Sequence, residues 1–243
     1  EPLAQDHAVA LQVPDPEQYF FHDPGMTRLD DGALIVAAPQ WQFMRFGGRQ
    51  STRVARSDDG GGTWRELAEL PYAEETPFVV DGRLFMFVQE KSHKDFQIIT
   101  TEDGGRTWTP PETVLQAPVW NISTPMVAWP DAIYLAMDYD SEGRHCHGKV
   151  MARLDRHRSP LDPDAWSLSN VVPRPDLPDS MTRKLYPKSD EELRRSAFWL
   201  EPNTVEVAGR IRVFARCVID RYASAHTAAV LDYDPDANRL SFT

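Results

Sequence analysis

The sequence predicts an all-β protein made of four-stranded antiparallel sheets repeated as the blades of a propeller, and two periodicities carry that expectation. A turn-rich octapeptide occurs twice, 44 residues apart, which suits one four-stranded blade. In parallel, Pro24, Pro77, Pro125 and Pro202 each precede an apolar stretch, a turn signal and a second β-rich stretch, the pattern of four β-hairpins.

The first blade, near residues 19–72, holds the hairpin from Met26 to Ala38 with its bend at Asp31-Gly32, followed by Ser57-Asp58-Asp59-Gly60-Gly61-Gly62-Thr63-Trp64. The second, near 73–119, holds the hairpin from Phe78 to Val88 around Asp81-Gly82, followed by Thr101-Glu102-Asp103-Gly104-Gly105-Arg106-Thr107-Trp108. The third, near 120–172, bends at Pro130-Asp131 between Met126 and Met137, and Asp162-Pro163-Asp164-Ala165-Trp166 reads as a degenerate copy of the octapeptide. Residues 173–195 read as a polar, proline-bearing inserted loop with a short helical stretch at Asp190 to Arg195. The fourth blade, near 196–243, runs from Thr204 to Val218 around Ala208-Gly209, then from Ala228 to Tyr233, the turn Asp234 to Asn238, and Arg239 to Phe242.

Composition narrows the function classes. The 243 residues are 41% hydrophobic and carry a formal net charge of −11. No apolar run approaches the roughly 18 residues of a membrane span. A net acidic chain lacks the clustered basic surface that a phosphate-backbone binder needs, so nucleic acid is not an expected partner. Cys146 and Cys217 allow one disulfide or two free thiols. A chain opening at Glu1 with no signal-peptide pattern fits a mature exported protein and equally a trimmed one, so a secreted or periplasmic location is an expectation only.

Both octapeptides read Ser/Thr-x-Asp-x-Gly-x-Thr-Trp. The Asp accepts hydrogen bonds from nearby backbone N–H groups, the glycines permit positive φ, and the Trp packs between sheets. The segment resembles the Asp box, or bacterial neuraminidase repeat, of the sialidase-like superfamily, where it lies on an outer hairpin away from the active site. That resemblance implies a sialidase-like β-propeller of six blades, about four of them in this chain, and a carbohydrate substrate.

Candidate site residues follow from the hairpins and the resemblance together. With Ala208-Gly209 as a two-residue turn, counting outward sets Glu201 directly opposite Arg216, with Cβ atoms about 4.5–5.5 Å apart. The pair resembles the sialidase element in which a Glu assists a tyrosine nucleophile and an Arg grips the substrate carboxylate, a task that suits a guanidinium. A cross-strand ion pair holding the hairpin is the structural alternative. Where the family has Phe/Tyr-Arg-Ile-Pro, this chain has Phe21-His22-Asp23-Pro24. Where the family carries an acid/base Asp, the stretch Arg49 to Arg56 has no carboxylate. The family's third Arg and its Tyr nucleophile would fall beyond Thr243.

The expected site is therefore a propeller mouth furnished with His22, Asp23, Glu75, Glu201 and Arg216. Asp23 and Glu201 are the paired carboxylates of a glycosidase acting on an acidic or complex glycan. A uronate-polymer lyase would instead use His22 as acid/base and Arg216 to neutralise the uronate. A non-catalytic glycan-binding propeller is the third reading. Trp41, Phe43, Trp120 and Trp199 offer flat faces to a sugar or pack between blades. Lys91, His93 and Lys94 suit an acidic ligand or a solvated loop. No cofactor and no metal are expected; His145-Cys146-His147 is a zinc half-site at best, lacks a third ligand, and reads better as a loop. Asn121-Ile122-Ser123 forms a glycosylation sequon.

Overall fold

The computed structural model describes residues 6–89, 95–120, 125–141, 144–175, 198–220 and 223–243. Strands dominate, and the described residues contain no α-helix. The chain divides into two compact units, Glu1–Gln116 and Ala117–Thr243.

In the first unit, β1 (Tyr19–Phe21), β2 (Gly25–Arg28), β3 (Leu34–Gln42), β4 (Gln50–Ser57) and β5 (Arg65–Leu70) form one antiparallel sheet. Both β1 and β2 pair with β3, with Phe21 opposite Gln40 and Gly25 opposite Ala37. Three residues, His22 to Pro24, thus face two on β3, which is the count of a bulge. The local sequence explains it: Pro24 has no N–H for the ladder, and Asp23 tolerates the left-handed φ of +40° that it adopts.

The second sheet is a meander of β6 (Glu74–Val80), β7 (Arg83–Gln89), β8 (Phe96–Thr100) and β9 (Glu112–Leu115). Asp81 and Gly82 close its first hairpin with φ of +49° and +74°, the type I′ turn whose twist matches the strands. Ile35, Ala37 and Val54 of the first sheet pack against Leu84, Met86, Val88 and Ile99 of the second. Burying each of the larger side chains contributes about 1.5–3 kcal/mol.

The second unit holds the other two sheets. The third comprises β10 (Val119–Trp120), β11 (Val127–Ala128), β12 (Ala132–Ser141), β13 (Arg144–Asp155), β14 (Trp166–Leu168) and β15 (Val172–Pro173), with β10 and β11 both paired to β12. The fourth comprises β16 (Phe198–Val207), β17 (Arg210–Asp220), β18 (Ala223–Asp234) and β19 (Arg239–Phe242). Tyr134, Ala136 and Met151 pack with Trp199, Ile211, Val213 and Leu231 between them.

The all-β expectation holds, and the bends at Asp81-Gly82, Pro130-Asp131 and Ala208-Gly209 join the strands expected. Two readings change, and one open choice is resolved. His145, Cys146 and His147 lie in β13 rather than in a loop, because the ladder with β12 continues past Gly148 to a final pair at Ser141 and Arg144. Pro173, where the inserted loop was expected to begin, pairs with Gly148. Cys146 and Cys217 are free and buried, and burial raises both thiol pKa values. The sequon at Asn121, the run Lys91 to Lys94 and the stretch Asp190 to Arg195 lie outside the described residues.

The two octapeptides form closely matching turns. Asp59 Oδ1 accepts from Thr63 N at 2.8 Å and Oδ2 from Thr63 Oγ1 at 2.6 Å. Asp103 accepts from Thr107 N at 2.9 Å and from Thr107 Oγ1 at 2.7 Å. Trp64 Nε1 donates to Gly61 O at 2.9 Å, and Trp108 Nε1 to Gly105 O at 3.0 Å. These bonds favour the charged carboxylate, so the Asp59 pKa falls to about 2, led by the Thr63 hydroxyl, and Asp103 is lowered too, led by the Thr107 N–H. In the degenerate third copy Trp166 reaches back to Pro160 O at 2.8 Å, and Asp162 caps a single 3-10 turn.

Candidate functional site

In the first unit the bulge at His22 to Pro24 sets the geometry. Asp23 Oδ2 lies 2.8 Å from His22 Nδ1, which donates to it, and the Asp23 side chain is 43% exposed. The His22 ring stands edge-on to Trp41 at 4.3 Å, with Phe20 beside Trp41 and Phe43 against Phe20. His22 Nε2 is buried and has no partner among the described residues. Trp41 Nε1 donates to Ala73 O at 3.4 Å, which sets this aromatic wall against the residue preceding β6.

Glu74 opens β6 there, next to the Glu75 that the sequence singles out. Glu74 is 5% exposed, and its Oε2 is buried without a partner among the described residues. Burial raises its pKa to about 8, with the charge of Asp23 adding to the shift. Glu75 is 1% exposed and accepts from Thr52 Oγ1 at 3.4 Å. Strand alternation places it on the face of β6 opposite Glu74.

In the second unit the register runs outward from Val207 opposite Arg210 to Asn203 opposite Phe214, then slips so that Leu200, not Glu201, faces Arg216. Glu201 and Pro202 thus form a bulge, and Glu201 takes a φ of +56°. The slip does not separate the pair, since Arg216 Nη2 donates to Glu201 Oε1 at 2.8 Å. The Arg216 and Glu201 side chains are 50% and 29% exposed.

The bulge is held from below. Asp138 and Lys149, directly opposed on β12 and β13, form a fully buried ion pair. Asp138 Oδ2 accepts from Glu201 N at 3.1 Å, and Lys149 Nζ donates to Trp199 O at 2.8 Å. Lys149 also lies 4.4 Å over the Trp199 ring. Trp199 is 0% exposed, so the expectation that it stacks on a sugar is corrected: its face is taken by a buried ammonium, a cation–π contact. Trp120 lies in β10 opposite Asp138, partly buried. Among the described residues no three His, Cys, Asp or Glu side chains converge as metal ligands, and no helix is long and apolar enough to cross a membrane.

Glu74 and the Asp138–Lys149 pair were missed, although signals existed. Glu74-Glu75 begins a strand, so one of the two must face the other way from its neighbour. Asp138 and Lys149 each interrupt an apolar strand, which a charge does only when paired.

No protein-family model matches the chain, and no curated protein sequence matches it. Solved structures do. The α-L-arabinanase of Penicillium chrysogenum, solved with arabinobiose, is 14% identical at a TM-score of 0.52, covering 94% of this chain and 71% of its own. The α-L-arabinofuranosidase of Fusarium graminearum is 14% identical at 0.54, covering 92% and 66%. A Hadza microbial sialidase is 15% identical at 0.55, covering 93% and 46%. Identities this low show the fold, which is that of propeller glycosidases. The chain spans under half the length of that sialidase and about two thirds of the arabinofuranosidase.

Proposed function

We propose that the chain belongs to a glycoside hydrolase acting on a complex glycan that carries a carboxylate. One observation carries the reading. Arg216 is half exposed and spends one of its five N–H donors on Glu201, with no further partner among the described residues. A guanidinium left open beside a carboxylate suits a planar anionic group on a ligand. The structural likeness to glycosidases, from an arabinanase to a sialidase, supports hydrolysis as the reaction. Within the first unit Asp23, exposed and oriented by His22, is the carboxylate assigned to the chemistry; within the second, Glu201 positions the Arg216 guanidinium.

The test is incubation with sialosides, arabinan, neutral galactan and uronate polymers, read by mass spectrometry and by ultraviolet absorbance. Products heavier by one water establish hydrolysis. An unsaturated, absorbing product establishes a lyase instead, and binding without turnover establishes a lectin. Arg216→Ala raises KM for acidic substrates and leaves neutral ones unchanged if the guanidinium grips a carboxylate.

A further inference from the structure

The Glu74 carboxyl is a buried group that nothing in the described part of the folded chain uses. Its Oε2 is sealed from water and unpartnered among the described residues. Leaving such an atom unbonded costs about 1–3 kcal/mol, so its persistence calls for an explanation. Its cross-strand neighbour on β7 is Gln89, which is uncharged. The charged group acting on it is Asp23, at the bulge of the neighbouring strand, whose carboxylate is in turn bound by His22. Glu75 points to the opposite face of β6 and is occupied by Thr52.

We propose that Glu74 is a further catalytic residue, the general acid that protonates the leaving glycosidic oxygen. The inference rests on the hydrolase reading above. Its basis is a carboxyl oxygen buried without a partner among the described residues, at the start of β6, where the strand packs against β2 and the bulge that bears the exposed Asp23. Two carboxyl groups in such unlike settings divide into acid and base. In the step, the Glu74 O–H proton passes to the glycosidic oxygen as the bond from that oxygen to the anomeric carbon breaks. A water oxygen bonds to the anomeric carbon, and the proton it releases goes to Asp23. Transfer of that proton from Asp23 back to Glu74 once the product leaves restores both groups. The burial that raises the Glu74 pKa to about 8 keeps it protonated at neutral pH, as the role requires.

The experiment compares wild type and Glu74→Gln on the glycan that wild type cleaves fastest in the panel above, and on a dinitrophenyl glycoside of the same sugar. The amide matches the acid in shape, and the comparison of two substrates on one variant is insensitive to the fraction folded. We expect a loss of about 100- to 10,000-fold on the glycan, a much smaller loss on the dinitrophenyl glycoside, whose leaving group needs no proton, and disappearance of the alkaline limb of kcat/KM near pH 8. Equal losses on both substrates, or none on either, overturn the role of Glu74 and leave the hydrolase reading intact. Absence of turnover by wild type across the panel overturns both.

Discussion

Replacing Glu74 by glutamine should change stability with pH in a way that only a buried, neutral carboxyl produces. In the unfolded chain Glu74 titrates near its ordinary value of 4.5, and in the folded chain at about 8. Well below pH 4.5 both states hold the proton, and the group contributes nothing to the pH dependence of folding. As pH rises from 4.5 to 8 the unfolded state releases the proton while the folded state retains it, so stability falls. At about 1.36 kcal/mol per pH unit, the shift corresponds to roughly 5 kcal/mol lost by about pH 8, after which the loss levels off. The amide has no proton to release. Urea unfolding of both proteins from about pH 4 to about pH 9 should therefore give a difference curve that is flat at its acid end and climbs in favour of the variant up to about pH 8. Asp23→Asn should shrink the climb without abolishing it, because burial is the larger cause and the Asp23 charge the smaller. Parallel curves, within about 1 kcal/mol across the range, would mean that Glu74 is ionised in the folded protein and would remove the basis for its role as an acid.

Three further predictions concern the scaffold. Lys149→Met leaves Asp138 charged and buried without its ammonium and should cost about 3–5 kcal/mol in urea unfolding; adding Asp138→Leu should recover part of that loss, and simple additivity of the two would refute the pairing. Asp59→Asn should flatten the acid limb of stability: the Asp59 pKa is lowered in the folded state, so the stabilisation it gives is present above about pH 4 and is lost as pH falls toward 2. A thermal midpoint series over that window checks it, and an unchanged slope counts against the turn geometry. Ala208 holds a φ of +50° in a type I′ turn, so Ala208→Asn should stabilise by about 1 kcal/mol in the same urea assay, since an L-alanine is strained there and Asn-Gly is favoured.

How much of this was legible in the sequence differs between turns and site. The turns were readable because their chemistry is local: Asp81-Gly82 and Ala208-Gly209 close hairpins in the register their neighbours imply, and Asp59 and Asp103 satisfy backbone groups within four residues. The site was less so. The pairing of Glu201 with Arg216 was anticipated, yet the count that set them opposite each other is off by one, because Pro202 has no N–H to offer the ladder and the strand bulges there. Glu74 was overlooked because the choice between two adjacent glutamates depends on which face of β6 is sealed by Thr52, a contact made from 23 residues away. Lys149 stayed hidden for the same reason, its partners Asp138 and Trp199 being remote in sequence.

The two ends of the first sheet differ in how their polar groups are satisfied. At one end Leu34 pairs with Ser57, and there the repeated turn satisfies its carboxylate, its indole N–H and its hydroxyls within a single octapeptide. Toward the other end of β3, Ala38 and Pro39 face the break at which Asp23 is left-handed and His22 Nε2 has no partner among the described residues, and Glu74 at the start of β6 carries an unbonded oxygen. In the fourth sheet both ends carry a left-handed residue, Ala208 in the hairpin and Glu201 in the bulge. A strained residue or an orphaned polar atom costs about 1–3 kcal/mol and survives where the surroundings over-determine it. Strained or orphaned groups therefore occur at the strand ends bearing Asp23, Glu74 and Glu201 as well as at the Asp81 and Ala208 hairpins, whereas the octapeptide turn satisfies its own polar groups within eight residues, which makes it the self-sufficient staple of its sheet.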